Sequence, residues 1–172
     1  MLYLMIVLRI LHIFAGVFWV GASFVNIGFL QPTVKATGAE GQKVMGYLTR
    51  QTRFVSASLA AATITMFSGL IMYWILSGLR LSFLSSGYGL VLTVGAIAGL
   101  IAWVMAIFFV RRILNRMGAL GQQIQAQGSP PSVEQASEMQ ALGAQMTSLG
   151  RTALVFLVIA LLGMSVAQYA AF

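Results

Sequence analysis

Four stretches of this 172-residue sequence are each apolar for long enough to cross a bilayer, whose hydrocarbon core of about 30 Å takes about 20 helical residues. They lie near 10–30, 54–76, 87–110 and 152–171. Inside a bilayer no water is present to satisfy backbone N–H and C=O groups, so segments of this length must be helices that bond within themselves. The pattern predicts an all-α membrane protein, an up-and-down bundle of four transmembrane helices, as a single integral membrane domain over 1–172. With 59% hydrophobic and only 8% charged residues, the chain is far from a soluble composition. The lipid bilayer is its expected partner, together with other membrane subunits or a second copy.

The charges serve as topology signals. Ten basic against three acidic residues would elsewhere suggest nucleic acid, but these cations flank the apolar runs, so no nucleic-acid partner is expected. Lys35, Lys43, Arg50 and Arg53 follow the first run, and Arg111, Arg112, Arg116 and Arg151 lie between the third and fourth. The connection SGLRLSFLSSGYG carries only Arg80. The positive-inside rule therefore puts both long connections in the cytoplasm and both termini outside. Tyr3, Tyr73, Trp74, Tyr88 and Tyr169 all fall at the ends assigned to the outer side, as interfacial aromatics should. The first apolar run has neither a basic region before it nor a cleavage site after it, and is read as a retained helix. If that helix starts before residue 10, Arg9 must snorkel outward.

The connection after Arg111 is too periodic for a loop. Ile113, Met117, Leu120 and Ile124 recur at helical spacing, GSPPS interrupts, and Met139, Leu142, Met146 and Leu149 recur again. Ser132 with Gln135 predicts a capping box. The expectation is a cytoplasmic helical hairpin, about 111–127 and 133–150, that prolongs the third and fourth membrane helices. A short helix is expected over 40–53. Gly95 and Gly99 in the third helix, and Gly163 with Ala160 and Ala167 in the fourth, have the small-residue spacing of close helix packing or of a seam between copies.

Chemistry concentrates on the first helix. Arg9, His12, Gly16, Trp19, Ser23, Asn26 and Leu30 share one face, which must point at protein because polar groups are costly against lipid. On that face Gly16 is read as a packing position. The chain has no Asp, no Cys and no second His, so it offers no triad, no carboxylate dyad and no closed zinc site, and no catalytic residue is assigned. What remains is His12, with Met72 and Met164 expected at a similar depth as cofactor ligands and Tyr73 and Gln168 near the same level. An imidazole with thioethers suits Cu(I), and a His with a Met, or one His from each of two subunits, suits haem iron. The other reading has His12 hydrogen-bonded to a neighbouring helix and the methionines filling gaps.

The segment LHIFAGVFWVGASFV, with GFLQPTV after it, TMFSGLIMYW in the second helix and the terminal MSVAQY, resembles the copper-resistance protein D type of membrane protein. That resemblance covers about the first 75 residues and implies a multipass inner-membrane protein connected with copper handling. More distantly, the chain is similar to the small bacterial four-helix protoporphyrinogen oxidases, where a first-helix His is implicated in haem binding; only His12 matches that pattern. Two functions are therefore expected from different classes. One is a membrane protein that handles copper or haem through His12, and the other is a non-catalytic accessory or assembly subunit of a larger membrane complex.

Overall fold

Large side chains point outward from this bundle and small ones inward, the reverse of a water-soluble domain. The computed structural model describes residues 1–170. Phe14, Phe67, Phe108 and Val155 are exposed by 76, 55, 61 and 58%, one on each of four long helices. At the centre, where those helices meet, Ala62 and Ala102 are fully buried beside Trp19, Ala61 and Leu157. An apolar exterior around a small-residue interior is stable in lipid, where close backbone approach rather than water exclusion drives helix association. The protein is a multipass membrane protein with four helices able to cross a bilayer.

The first of these, α1, runs Leu2–Thr37, and a short amphipathic helix, α2 (Ala39–Arg50), comes after it beyond a turn at Gly38. Next come α3 (Phe54–Ser77), α4 (Gly87–Gln127) and α5 (Val133–Val166), the last ending in a 3₁₀ turn over Ala167–Tyr169. Each of the four long helices contains or overlaps one of the four apolar runs. Residue 171 of the expected fourth span lies outside the described residues.

The helix that carries the expected first span of 10–30 extends beyond it at both ends. The helix begins at Leu2, because Met1 to Leu8 is as apolar as the residues beyond Arg9, and Arg9 is an exposed residue inside it. It also passes Pro32 without stopping. Residues Asn26–Leu30 form a π turn directly before that proline. A proline within a helix has no N–H to donate, and its ring crowds the carbonyl four residues back. Widening the preceding turn relieves that crowding, so the helix continues to Thr37.

A second π turn, Met105–Val110, lies inside α4, which is otherwise unbroken for 41 residues. At 1.5 Å per residue that is about 60 Å, roughly twice a hydrocarbon core, so α4 must project from the membrane. Its projecting part packs against α5 through Ile113, Leu120 and Leu142, flanked by Met117, Ile124, Met139 and Met146. Gly128, at a φ of 61°, ends α4, and Ser132 starts α5 with a complete capping box: its Oγ accepts from Gln135 N at 3.2 Å, and Gln135 Oε1 accepts from Ser132 N at 2.9 Å. An Arg116–Glu138 ion pair at 2.7 Å ties the two arms together. Arg50 of α2 reaches across to the carbonyl of Met117, and its guanidinium lies where a side chain on Gly121 would be.

Within the bundle the helices form two close pairs, α1 with α3 and α4 with α5. Gly163 is the tightest point of the second pair, since a Cβ built on it would be 2.9 Å from Gly95 Cα. Gly95 is similarly enclosed, at 3.2 Å from Met164 N, while a Cβ on Gly99 would make an ordinary 3.7 Å contact with Ala160. The opposite end, at the short connection, is closed by aromatic edges: Phe83 stands edge-on to both Tyr73 and Tyr88 at 5.7 and 5.8 Å. Thr93 donates to Gly89 O, so its oxygen accepts the Tyr73 hydroxyl proton at 2.7 Å.

Candidate functional site

Small residues let α1 and α3 approach closely near Gly16 and Gly69, and the His12 ring is set into the seam there. Gly16 lets Thr65 approach, with Thr65 Cγ2 at 3.5 Å from where a Cβ on Gly16 would be. One turn away, the imidazole of His12 covers Gly69, so that a Cβ there would be 2.8 Å from His12 Cε1 and 3.0 Å from Nδ1. Side chains in a helix lean toward its N-terminus and screen the carbonyl one turn back. With no side chain at Gly69, the carbonyl of Thr65 is left open, and His12 Nδ1 donates to it at 2.8 Å.

A carbonyl can only accept, so this bond fixes the tautomer with hydrogen on Nδ1. Ser68 Oγ lies 3.4 Å from the same nitrogen, but its proton is directed to the backbone oxygens of Ile64 and Thr65 at 2.6 and 3.1 Å. Nε2 is left with its lone pair and has no hydrogen-bond partner among the described residues. A backbone carbonyl holding the second ring nitrogen is the usual support of a metal-bound histidine, since it orients the ring and raises its basicity.

The methionines part company. Thr65, Ser68, Gly69 and Met72 are spaced to share one face of α3, and Met72 is half-buried. Met164 is on α5 in the other seam, with its Cε 3.9 Å from where a Cβ on Gly99 would be. Among the described residues no three His, Cys, Asp or Glu side chains gather, and the acidic residues Glu40, Glu134 and Glu138 all sit at the hairpin end. The one imidazole in the seam thus stands without a carboxylate, thiolate or second imidazole beside it among the described residues, which does not suit Zn²⁺ or Ca²⁺.

The role of Gly69 is hidden in the sequence, where it stands as one more glycine in TMFSGLIMYW. Its signal is the pairing of a lone membrane histidine on one helix with a glycine at matching depth on the next. Compared with known proteins, the chain matches no family model, no curated protein and no solved structure.

Proposed function

We propose that this multipass membrane protein handles a soft metal ion through His12, with Cu(I) the ion its donors suit best and haem iron the second choice. The observation that carries the reading is the hydrogen bond from His12 Nδ1 to the Thr65 carbonyl, which orients the ring and leaves Nε2 without a hydrogen-bond partner among the described residues. A monovalent ion costs less to desolvate than a divalent one where no carboxylate is near to balance it. Met72 supplies the thioether from the same α3 face. When bound, such an ion would be carried or passed on with its charge partly screened by soft ligands; the chain's own part is to orient the ring and keep the site within protein.

The topology belongs to the same reading. The two long basic connections, which form α2 and the hairpin, face the cytoplasm, and His12 lies toward the outer face of an inner membrane. The resemblance to copper-resistance D-type proteins supports the same assignment.

The test is metal and cofactor analysis of protein purified in detergent after growth with added copper. Bound copper that His12→Ala abolishes and Met72→Leu weakens, with Met164→Leu as the variant from the other seam, supports the reading. A Soret band lost in His12→Ala would assign haem instead. Wild-type protein that acquires neither, with His12→Gln silent, overturns it in favour of the accessory-subunit reading.

A further inference from the structure

A second polar site lies at the other end of α1, among the helices where they approach the hairpin. There a cavity of about 140 Å³ is walled by all four long helices and by α2. Two of its lining residues, Asn26 and Gln31, carry buried side-chain oxygens, Oδ1 and Oε1, with no hydrogen-bond partner among the described residues. In an α-helix residues five apart would point about 140° away from each other. Here the π turn closes a bond from Gln31 N to Asn26 O and so stacks the two residues on one face. The second π turn borders the same cavity through Ala106 and Val110 of α4. Two π turns on different helices meeting at one cavity, with two residues of its lining carrying buried, unsatisfied amide oxygens, is an arrangement that bundle packing does not require. A buried amide without a partner costs stability, and π turns concentrate at functional sites.

We infer that this cavity binds an uncharged molecule about the size of a single ring, with an N–H or O–H donor that the Asn26 and Gln31 amides receive. The polarity of the lining sets the chemical class. Ser23, Ser58 and Thr49 also line the cavity, and each hydroxyl donates its proton to a carbonyl of its own helix, those of Trp19, Phe54 and Met45, all at 2.8 Å. These hydroxyl oxygens can then only accept from a ligand, so a ligand N–H or O–H meets several acceptors, while the amide NH₂ groups of Asn26 and Gln31 can donate to a carbonyl on the same molecule. No titratable side chain among the described residues lines it, which disfavours a charged occupant because no opposite charge stands there to balance it. Trp19, Phe54 and Leu157 supply apolar walls for the rest of the molecule. The volume is close to that of a cavity of about 150 Å³ known to admit benzene.

Benzamide carries both a ring and an N–H donor, and serves as the probe. Full-length protein in detergent is titrated with benzamide, with benzene and with N,N-dimethylbenzamide, which keeps the carbonyl but has no N–H, and thermal stability is followed. The expected result is a saturable rise in Tm with benzamide alone. Asn26→Leu with Gln31→Met should raise the Tm of the free protein, by removing unsatisfied amides, while weakening benzamide at least tenfold. Ala106→Leu, which fills the same space from α4, should abolish the response with both amides intact. Should the paired substitution prevent folding, Ala106→Leu alone decides. Equal shifts with all three probes, or no saturable response to benzamide in the wild type, overturns the assignment.

Discussion

The His12 ring and Gly69 occupy the same space that a side chain at position 69 would need: a Cβ there would be 2.8 Å from Cε1, closer than real carbon atoms approach. The glycine does two things at once. It makes room for the imidazole between α1 and α3, and it uncovers the Thr65 carbonyl to which Nδ1 donates. A polar bond of this kind between membrane helices contributes about 0.6 kcal/mol on average, and up to about 1.7 kcal/mol.

Gly69→Ala should therefore displace the ring and break the bond, costing about 1–3 kcal/mol as an overpacked contact. In a His12→Ala background the same substitution meets no ring, and its cost should fall close to zero. Reversible unfolding in mixed micelles of the wild type, both single variants and the double variant measures this coupling. Additive costs would show that the two residues do not interact.

How far this site is legible in the sequence depends on the residues themselves. The polar face of α1 singles out His12, Ser23 and Asn26 because a membrane helix carries few polar groups and these fall on one side. Gly69 and Gln31 are hidden for two reasons. A glycine's role depends on what stands opposite it, which one helix does not reveal. Gln31 reads as loop because Pro32 comes next, and a reading based on 3.6 residues per turn does not anticipate the π turn that carries the helix past the proline. The hairpin is open to view because Ser132, Gln135 and the two apolar stripes are local signals that agree with one another. The separation of Met72 from Met164 is a tertiary fact, set by which helices pair, and depth along the bundle does not reveal it.

The α4–α5 seam predicts an ordering. Gly163→Ala places a methyl 2.9 Å from Gly95 Cα, against backbone that cannot swing aside, whereas Gly99→Ala makes only a 3.7 Å contact. Gly163→Ala should lower stability by about 1–3 kcal/mol and Gly99→Ala by far less, by the same overpacking argument. Unfolding by increasing fractions of a denaturing detergent checks the order, and equal costs would mean the helices are free to separate there.

The orientation in the membrane is open to direct test. Reporter fusions at Thr37 and Pro130 should read as cytoplasmic and one at Ser85 as external, because eight of the ten basic residues lie on the two long connections. Arg80→Gln should leave these signals unchanged, since the inner side holds the excess of positive charge and losing an outer cation only increases it. An external signal at Pro130 would refute the assignment.

The hairpin gives the last prediction. Leu120 and Leu142 are both buried in the cluster that joins the projecting arms of α4 and α5. The chain has no cysteine of its own, so a pair introduced at these two positions can join only to each other, within one chain or between two. Arms packed within one molecule should give an intrachain disulfide under mild oxidation, because a bridge needs Cα atoms about 4.4–6.8 Å apart and side chains that face each other. On a gel it would run as a monomer that migrates faster than its reduced form. Ser132→Ala removes the cap that starts the second arm and should loosen the hairpin by about 1 kcal/mol, slowing that crosslink without abolishing it. Bridged dimers in place of monomers would show that the two arms pair between molecules, and that the hairpin is an oligomerisation arm.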